Sequence, residues 1–328
     1  MTVRQTRRSG PSASGDHFVL WQGPSVDLTQ QRRRMGERVI KAFLVGAALL
    51  SVVVTVGIVV SLFAPLTEFF SHVGIGEFLF GTEWTVGFGN KASWDDKSWG
   101  VLPLVTATFV MTAIALLVAV PLGLGAAAFL SEYASPRARK ILKPILEILA
   151  GIPTVAFGFI ALTVVTPLLG NIFQFNGIFN MLAPGIVMGF MIVPTVASLS
   201  EDAMSAVPLA LRQGSYALGA NRMKTTVRVV FPAALSGIVA AIVLGISRAV
   251  GETMIVTIGA GLQPKMTLDP TQGAQAMTGF IAQIASGDAP EGSPVYYSLF
   301  AVGSLLFLLT LLINMISIRL VRKYRQAY

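Results

Sequence analysis

The chain has 328 residues, of which 54% are hydrophobic and only 12% charged, and its formal net charge is +8. Because ordinary soluble domains carry roughly 25% charged residues, this composition excludes a soluble globular protein and indicates one embedded in a membrane. The absence of cysteine excludes disulfides, thiolate metal sites and cysteine nucleophiles, and the two isolated histidines, His17 and His72, cannot make a histidine-rich metal centre.

Uncharged runs predict six transmembrane helices, because a helix that crosses a bilayer needs about 20 mostly apolar residues. In chain order the predicted spans are residues 42–66, 102–130, 146–169, 181–200, 235–262 and 295–318. Residues 1–40 are predicted to form a disordered, basic cytoplasmic tail. Residues 41–325 then form an all-α, polytopic membrane domain, with a long loop at residues 201–233.

The distribution of basic residues predicts the orientation of the chain. Twenty of the 24 lysines and arginines fall in the N-terminal tail, in the loops after spans 2 and 4, and in the C-terminal tail. Since basic residues collect in cytoplasmic segments, both termini are expected in the cytoplasm. Topology thus explains the positive charge, which we do not interpret as nucleic-acid binding.

The outer loop, residues 68–100, contains Trp84, Trp94 and Trp99. These side chains are expected at the membrane interface, where tryptophan is enriched. Contact with an external partner is the alternative. Inside the membrane, Gly185 and Gly189 form a Gly-x-x-x-Gly pattern, for which generic helix packing is the favoured interpretation.

Arg248 and Glu252 are the two charges inside the fifth predicted span. An ionised group near the middle of a bilayer costs at least ~2.5–3.5 kcal/mol, so both are expected to face the bundle interior or an aqueous pathway. Four residues apart on one helix, they can pair. The functional hypothesis is that Arg248 contacts an oxyanion, since arginine offers a fixed fork of donors. A permanent ion pair that fixes helix packing is the alternative.

The loop after span 4 reads RQGSYALGANR and continues to VVFP. It resembles the coupling-loop signature of ABC importer permeases, E-A-A-x3-G-x9-I-x-L-P, with Gly219 and Pro232 at the matching positions and Gln213, Gly214 and Ser215 in place of E-A-A. The resemblance implies that this loop docks on an ATPase. The residues assigned to it are Arg212, Gln213, Gly214, Ser215, Ala217, Leu218, Gly219, Ala220, Asn221, Arg222 and Pro232. No phosphate-binding loop motif occurs in the chain, so any ATPase must be a separate subunit.

Four further stretches, FLSEYA, EILAGIPTVAFG, PTVASLSEDA and SRAVGETMIV, resemble the permeases of the phosphate-specific ABC importer, and more closely the C-type than the A-type subunit. The resemblance implies a type I importer fold in a bacterial inner membrane. It also implies an A-type permease partner, an ATPase dimer that carries ATP and Mg, and an external phosphate-binding protein. The chain itself would bind no cofactor, and Arg248 and Glu252 would lie on the path of phosphate.

Three alternatives remain open on the residues alone. The first is an ABC permease for another oxyanion, such as molybdate or sulfate, because Arg248 cannot discriminate among these anions. The second is a secondary transporter or channel that works alone. The third is a membrane sensor or scaffold without transport, whose basic tail carries the signal.

Overall fold

A computed structural model describes residues 35–86, 93–96 and 98–324. Most of the predicted basic tail, residues 1–34, lies outside these described residues. The chain divides at Val56 into two units. The described part of the first unit, residues 35–56, is helical, and its large apolar side chains, such as Phe43, are exposed, as expected for a surface that faces lipid.

The described residues form fifteen α-helices. In chain order these are α1 Met35–Phe63, α2 Leu66–His72, α3 Ile75–Phe80, α4 Leu102–Ala128, α5 Pro136–Ala150, α6 Thr154–Ile160, α7 Thr166–Phe173, α8 Leu182–Ser205, α9 Leu209–Ala217, α10 Arg222–Thr225, α11 Phe231–Ala233, α12 Leu235–Val250, α13 Met254–Ala260, α14 Met277–Gln283 and α15 Pro294–Tyr324. Single π-helical turns extend or join several of them, at Phe129–Tyr133, Ala161–Val165, Thr226–Val230 and Ile284–Asp288.

Five helical segments of the described chain are long and apolar enough to cross a membrane: Arg38–His72, Leu102–Tyr133, Thr154–Phe173, Leu182–Ser205 and Pro294–Arg322. A sixth results if Arg222–Ala233 and Leu235–Val250, which meet at an angle of 73°, count as one broken span. The predicted third span, 146–169, starts too early. Residues 146–150 belong to α5, and Gly151 and Pro153 separate that helix from α6 because proline disfavours helical backbone in the residue before it.

The packing of α4 against α8 forms the centre of the bundle. Gly185 and Gly189 lie at this contact, where an added Cβ would stand 2.8 Å from Ile114 and 2.7 Å from Val118. Buried methionines of α4 and α8, Met111, Met188 and Met191, fill the surrounding core. The Gly-x-x-x-Gly pattern therefore does bring two helices together, as the packing interpretation expects.

The described residues of the outer loop, 68–86, 93–96 and 98–100, contribute to an aromatic core. Trp84 and Trp99 are 3% and 2% exposed, and Trp84 packs edge-on against Phe280 of α14 at a centroid distance of 5.0 Å. Trp99 also contacts Phe69 at 5.5 Å. The expectation that these tryptophans lie at the membrane interface is therefore wrong for Trp84 and Trp99. Both indoles are instead buried among neighbouring rings, in the edge-on arrangement that aromatic pairs prefer.

Candidate functional site

The fifth predicted span, 235–262, is broken where its charges lie. Helix α12 ends at Val250, and α13 begins only at Met254. Gly251 follows directly on the last helical residue, and its N–H still donates to Ser247 O at 3.3 Å. The two charges therefore fall on different sides of a helix end. Arg248 belongs to the last turn of α12, and Glu252 lies in the connection to α13.

Arg248 is half-buried and faces α8. Its Nη1 donates a hydrogen bond to Thr195 Oγ1 at 3.0 Å. This bond uses one of the five N–H donors that a guanidinium carries. The contact therefore fixes the arginine against α8. The remaining N–H groups could donate hydrogen bonds to an oxyanion.

Glu252 is 8% exposed and caps α13. Its Oε1 accepts hydrogen bonds from the backbone N–H groups of Met254 and Ile255, at 3.1 and 3.3 Å. Its backbone carbonyl accepts a further bond from Thr278 Oγ1 at 2.6 Å. The carboxylate thus occupies the positive end of a short helix.

The predicted pairing of Arg248 with Glu252 is wrong. Among the ion pairs that join described residues, none links these two side chains. Residues four apart face each other only while the helix is continuous, and here α12 stops between them. Because Glu252 is engaged with backbone amides, it does not neutralise Arg248 through direct contact.

A cavity of about 330 Å³ lies between α5 and α8, beside Thr195, which accepts the hydrogen bond from Arg248. Thr195, Ser198 and Lys143 contribute polar groups to its wall. The carboxylate of Glu201, 1% exposed, accepts a hydrogen bond from Lys143 Nζ at 2.9 Å and also pairs with Arg139. The sequence interpretation, which gave these basic residues a topogenic role, missed this cluster. In the sequence this cluster is marked locally only by Glu201 and Asp202, which directly follow the uncharged run that ends at Ser200.

The predicted coupling loop, residues 201–233, is mostly helical, and its first residues complete α8. Helix α9 ends in a Schellman motif: Ala220 N–H donates to Ser215 O at 3.1 Å, and Gly219 N–H donates to Tyr216 O at 2.9 Å. Gly219 has a φ of +79°, which favours glycine. Asn221 then caps α10 by accepting a bond from Lys224 N–H at 2.8 Å. The sequence thus forms a tight helix-turn-helix at this position.

Two arginines of this loop, Arg212 and Arg222, contact the end of the second span. Arg212 is 12% exposed and forms an ion pair with Glu132, at 3.0 Å between Nη2 and Oε1. The guanidinium of Arg222 lies 5.6 Å from the ring centre of Tyr133. Glu132 and Tyr133 belong to the π-helical turn after α4, so both arginines fasten the loop to the end of the second span.

The outer surface of the same loop exposes apolar side chains among polar ones. Leu218 is 91% exposed at the turn, Met223 is 66% exposed, and Tyr216 is 42% exposed. Gln213, Gly214, Ala217 and Pro232 are also exposed, whereas Ser215 lies half-buried with its Oγ 2.9 Å from Thr225 Oγ1.

Comparison with known proteins gives consistent results. Residues 119–326 match the family described as binding-protein-dependent transport system inner membrane component. A probable ABC transporter permease of Bacillus subtilis, YqgH, is 36% identical over 80% of this chain and 87% of its own. A phosphate transport system permease protein PstC of Mesorhizobium japonicum is 30% identical over 88% and 91%. The PstC 1 protein of Mycobacterium tuberculosis is 31% identical over 75% and 81%.

Solved structures with the same fold include a chain of a bacterial alginate ABC transporter, with a TM-score of 0.60 at 16% identity, covering 88% of this chain and 98% of that one. A chain of the MetNI methionine ABC transporter in an inward-facing conformation has a TM-score of 0.51 at 22% identity, covering 69% and 95%. These likenesses confirm the predicted all-α importer fold.

Proposed function

The chain belongs to the family of binding-protein-dependent transport system inner membrane components, the permease subunits of ABC importers, and we propose that it carries inorganic phosphate into the cytoplasm. Such permeases are not enzymes, and a separate ATPase subunit hydrolyses ATP. The observation that carries the phosphate assignment is the likeness to phosphate transport permeases, one of them 30% identical over 88% of this chain. The half-buried Arg248 at the helix break, held by Thr195, supplies a contact for an anion.

Arg248 would act as the anion contact on the path. Its positive charge lies in a membrane-embedded bundle, where few other groups can compensate the charge of a phosphate. Thr195 orients the guanidinium, and Glu252 holds the start of α13 in place.

The helix-turn-helix from α9 to α10 would dock on the ATPase. Leu218 and its exposed neighbours form the contact, and the ion pair of Arg212 with Glu132 passes a displacement of α9 on to α4. In this proposal ATP and Mg bind to an ATPase dimer and this chain binds no cofactor. Alternating access of the path follows from closure and opening of that dimer.

The remaining partners follow from the same assignment. An A-type permease would complete a pseudo-symmetric heterodimer, and an external binding protein would deliver phosphate. Both termini of this chain would lie in the cytoplasm of a bacterial cell, on the basic side of the molecule.

Uptake of [32P]phosphate into proteoliposomes that contain the whole complex and its binding protein tests the proposal. We expect ATP-dependent uptake by the wild type and none by Arg248→Ala, with ATP hydrolysis retained. Arg319→Ala, which removes an exposed arginine of α15 outside the coupling loop, is the matched control and should transport normally. Normal uptake by Arg248→Ala would refute the anion contact. Uptake of molybdate or sulfate in place of phosphate would reassign the substrate.

A further inference from the structure

Helix α12 has an open stripe on its surface at the level of Arg248. Ser247 and Arg248 are consecutive, so their side chains point about 100° apart around the helix. Leu244, one turn earlier, falls between these two directions and is 50% exposed. The serine and the arginine therefore border the same stripe, one on each side, at nearly the same depth in the bundle.

A neighbouring helix contributes a polar side chain to each border of this stripe. On the α8 side, Thr195 accepts the hydrogen bond from Arg248. On the α15 side, Ser247 Oγ lies 2.8 Å from Asn314 Oδ1. An amide oxygen only accepts hydrogen bonds, so the serine hydroxyl is the donor. Ser247 thus holds the amide of Asn314 by its oxygen and leaves both of its N–H groups out of the contact.

The amide nitrogen of Asn314 is open at membrane depth. The side chain is exposed, and among the hydrogen bonds that join described residues none uses its Nδ2. Asn314 lies within the apolar span Pro294–Arg322, between the exposed Leu311 and Met315. Two N–H donors without acceptors are costly in hydrocarbon. This border of the stripe should therefore face a polar partner and not lipid.

Two cavities adjoin the stripe. The cavity of about 330 Å³ beside Thr195 and another of about 420 Å³ beside Asn314 are both lined by Leu199 and Leu244, so these two leucines separate them. The second cavity has Asn314 and Ser317 as its polar lining, and none of the described residues that line it is charged. Because Leu199 and Leu244 are 39% and 50% exposed, Thr195 and Asn314 open onto the same face of the bundle.

We propose that Asn314 is a second contact for inorganic phosphate on the path, donating from Nδ2 to a phosphate oxygen while Arg248 supplies the positive charge. Ser247 is the residue that positions its amide. The inference rests on the proposed function and adds a donor at the level of the arginine. A hydrogen bond to an ionised oxygen is stronger than one between neutral groups. A neutral amide also adds no second cation, so the anion is bound without being held too tightly to leave.

The test compares Asn314→Leu, a change to a side chain of similar size, with the wild type in proteoliposomes of the complete complex. [32P]phosphate uptake and ATP hydrolysis are measured on the same vesicles as the concentration of phosphate-loaded binding protein is raised. We expect a maximal uptake rate about tenfold lower, which corresponds to the loss of one hydrogen bond to a charged group. ATP hydrolysis and the half-maximal concentration of binding protein should not change. Asn314→Asp, which keeps an acceptor for Ser247 but repels an anion, should lose at least as much uptake.

Thr310→Val is the matched control on α15. Thr310 lies one turn earlier on the same face, and its hydroxyl is already bonded to its own helix, to Leu306 O at 3.0 Å and Phe307 O at 2.9 Å. The variant removes a hydroxyl from this face without removing an open donor. It should transport normally.

A second measurement locates Asn314 without relying on transport. The chain has no cysteine, so Asn314→Cys places a single thiol in it. Leu312→Cys is the control, since Leu312 is 53% exposed but points about 160° away around α15. In nanodiscs, where both membrane faces are open to reagent, a charged methanethiosulfonate should modify Asn314→Cys much faster than Leu312→Cys, because the reactive thiolate forms in water and not in lipid.

Equal maximal uptake by Asn314→Leu and the wild type would overturn the inference alone. So would loss of ATP hydrolysis together with uptake, or separation of the permease subunits in this variant, because Asn314 would then support assembly. Equal rates of modification of the two cysteine variants would also overturn it. Absence of phosphate uptake by the wild type would overturn the proposed function as well.

Discussion

Arg212→Ala is expected to detach helix α9 from the end of α4. The side chains of Arg212 and Glu132 are 12% and 5% exposed, so the substitution leaves a carboxylate that is almost completely buried without its cation. Removal of one partner from a buried ion pair costs about 3–5 kcal/mol. Because Arg212 retains some solvent contact, we expect the lower end, about 3 kcal/mol.

Two backbone carbonyls each lose one hydrogen bond as well. Arg212 Nη1 donates to Val207 O at 2.6 Å, and Nη2 donates to Met204 O at 2.8 Å, so the guanidinium also closes the turn between α8 and α9. The variant should therefore loosen the attachment of α9 more than the loss of one surface charge would. Arg228→Ala, at an exposed position of the same loop, is the matched control and should change stability by about 0.5 kcal/mol or less.

Thermal unfolding of the purified complex and the ratio of phosphate transported to ATP hydrolysed measure the two consequences. At roughly 2–4 °C per kcal/mol, a cost of about 3 kcal/mol lowers the Tm of Arg212→Ala by about 6–12 °C. The transport ratio should fall, since movement of α9 no longer reaches α4. The double variant Arg212→Met with Glu132→Gln removes both charges and should recover at least half of the lost Tm. Equal Tm values for Arg212→Ala and Arg228→Ala would refute the reasoning.

Three further predictions concern single positions. Gly189→Leu should disrupt assembly, because a side chain there collides with α4. Gly125→Leu should assemble normally, since no atom lies within 4 Å of an added Cβ at that position. Size-exclusion chromatography in detergent distinguishes the two variants, and equal profiles would contradict the packing argument. Gly219→Ala should cost about 1 kcal/mol because φ is +79°, while Gly214→Ala, inside α9, should be neutral or stabilising; a comparison of Tm values decides, and equal losses would count against the turn. Glu252→Ala should lower the stability by about 1 kcal/mol because α13 loses its cap, and Glu252→Gln should lower it less because its amide oxygen still accepts a hydrogen bond. Neither loss should depend on the presence of Arg248. Strong coupling between Arg248 and Glu252 in a double-mutant cycle on Tm would contradict this and restore the ion pair.

The sequence by itself determined the features that depend on consecutive residues. Runs without charge are long enough to cross a bilayer wherever they occur, so the apolar helices could be located from their length. Gly219 was found through a motif of consecutive residues, and the structure adds the helix end before it and the cap at Asn221 after it. The orientation of the termini and the roles of Arg248 and the coupling loop in transport stay predictions.

Only the tertiary structure decided which charges meet. Arg248 and Glu252 were expected to pair because helical spacing brings residues four apart together, but α12 ends between them, and each finds another partner. Arg212 and Glu132 are 80 residues apart in the chain, and Lys143 and Glu201 are 58 apart. Local spacing fixes a contact only along one continuous helix, whereas these ion pairs depend on how separate helices pack, and this packing is set by the whole bundle at once.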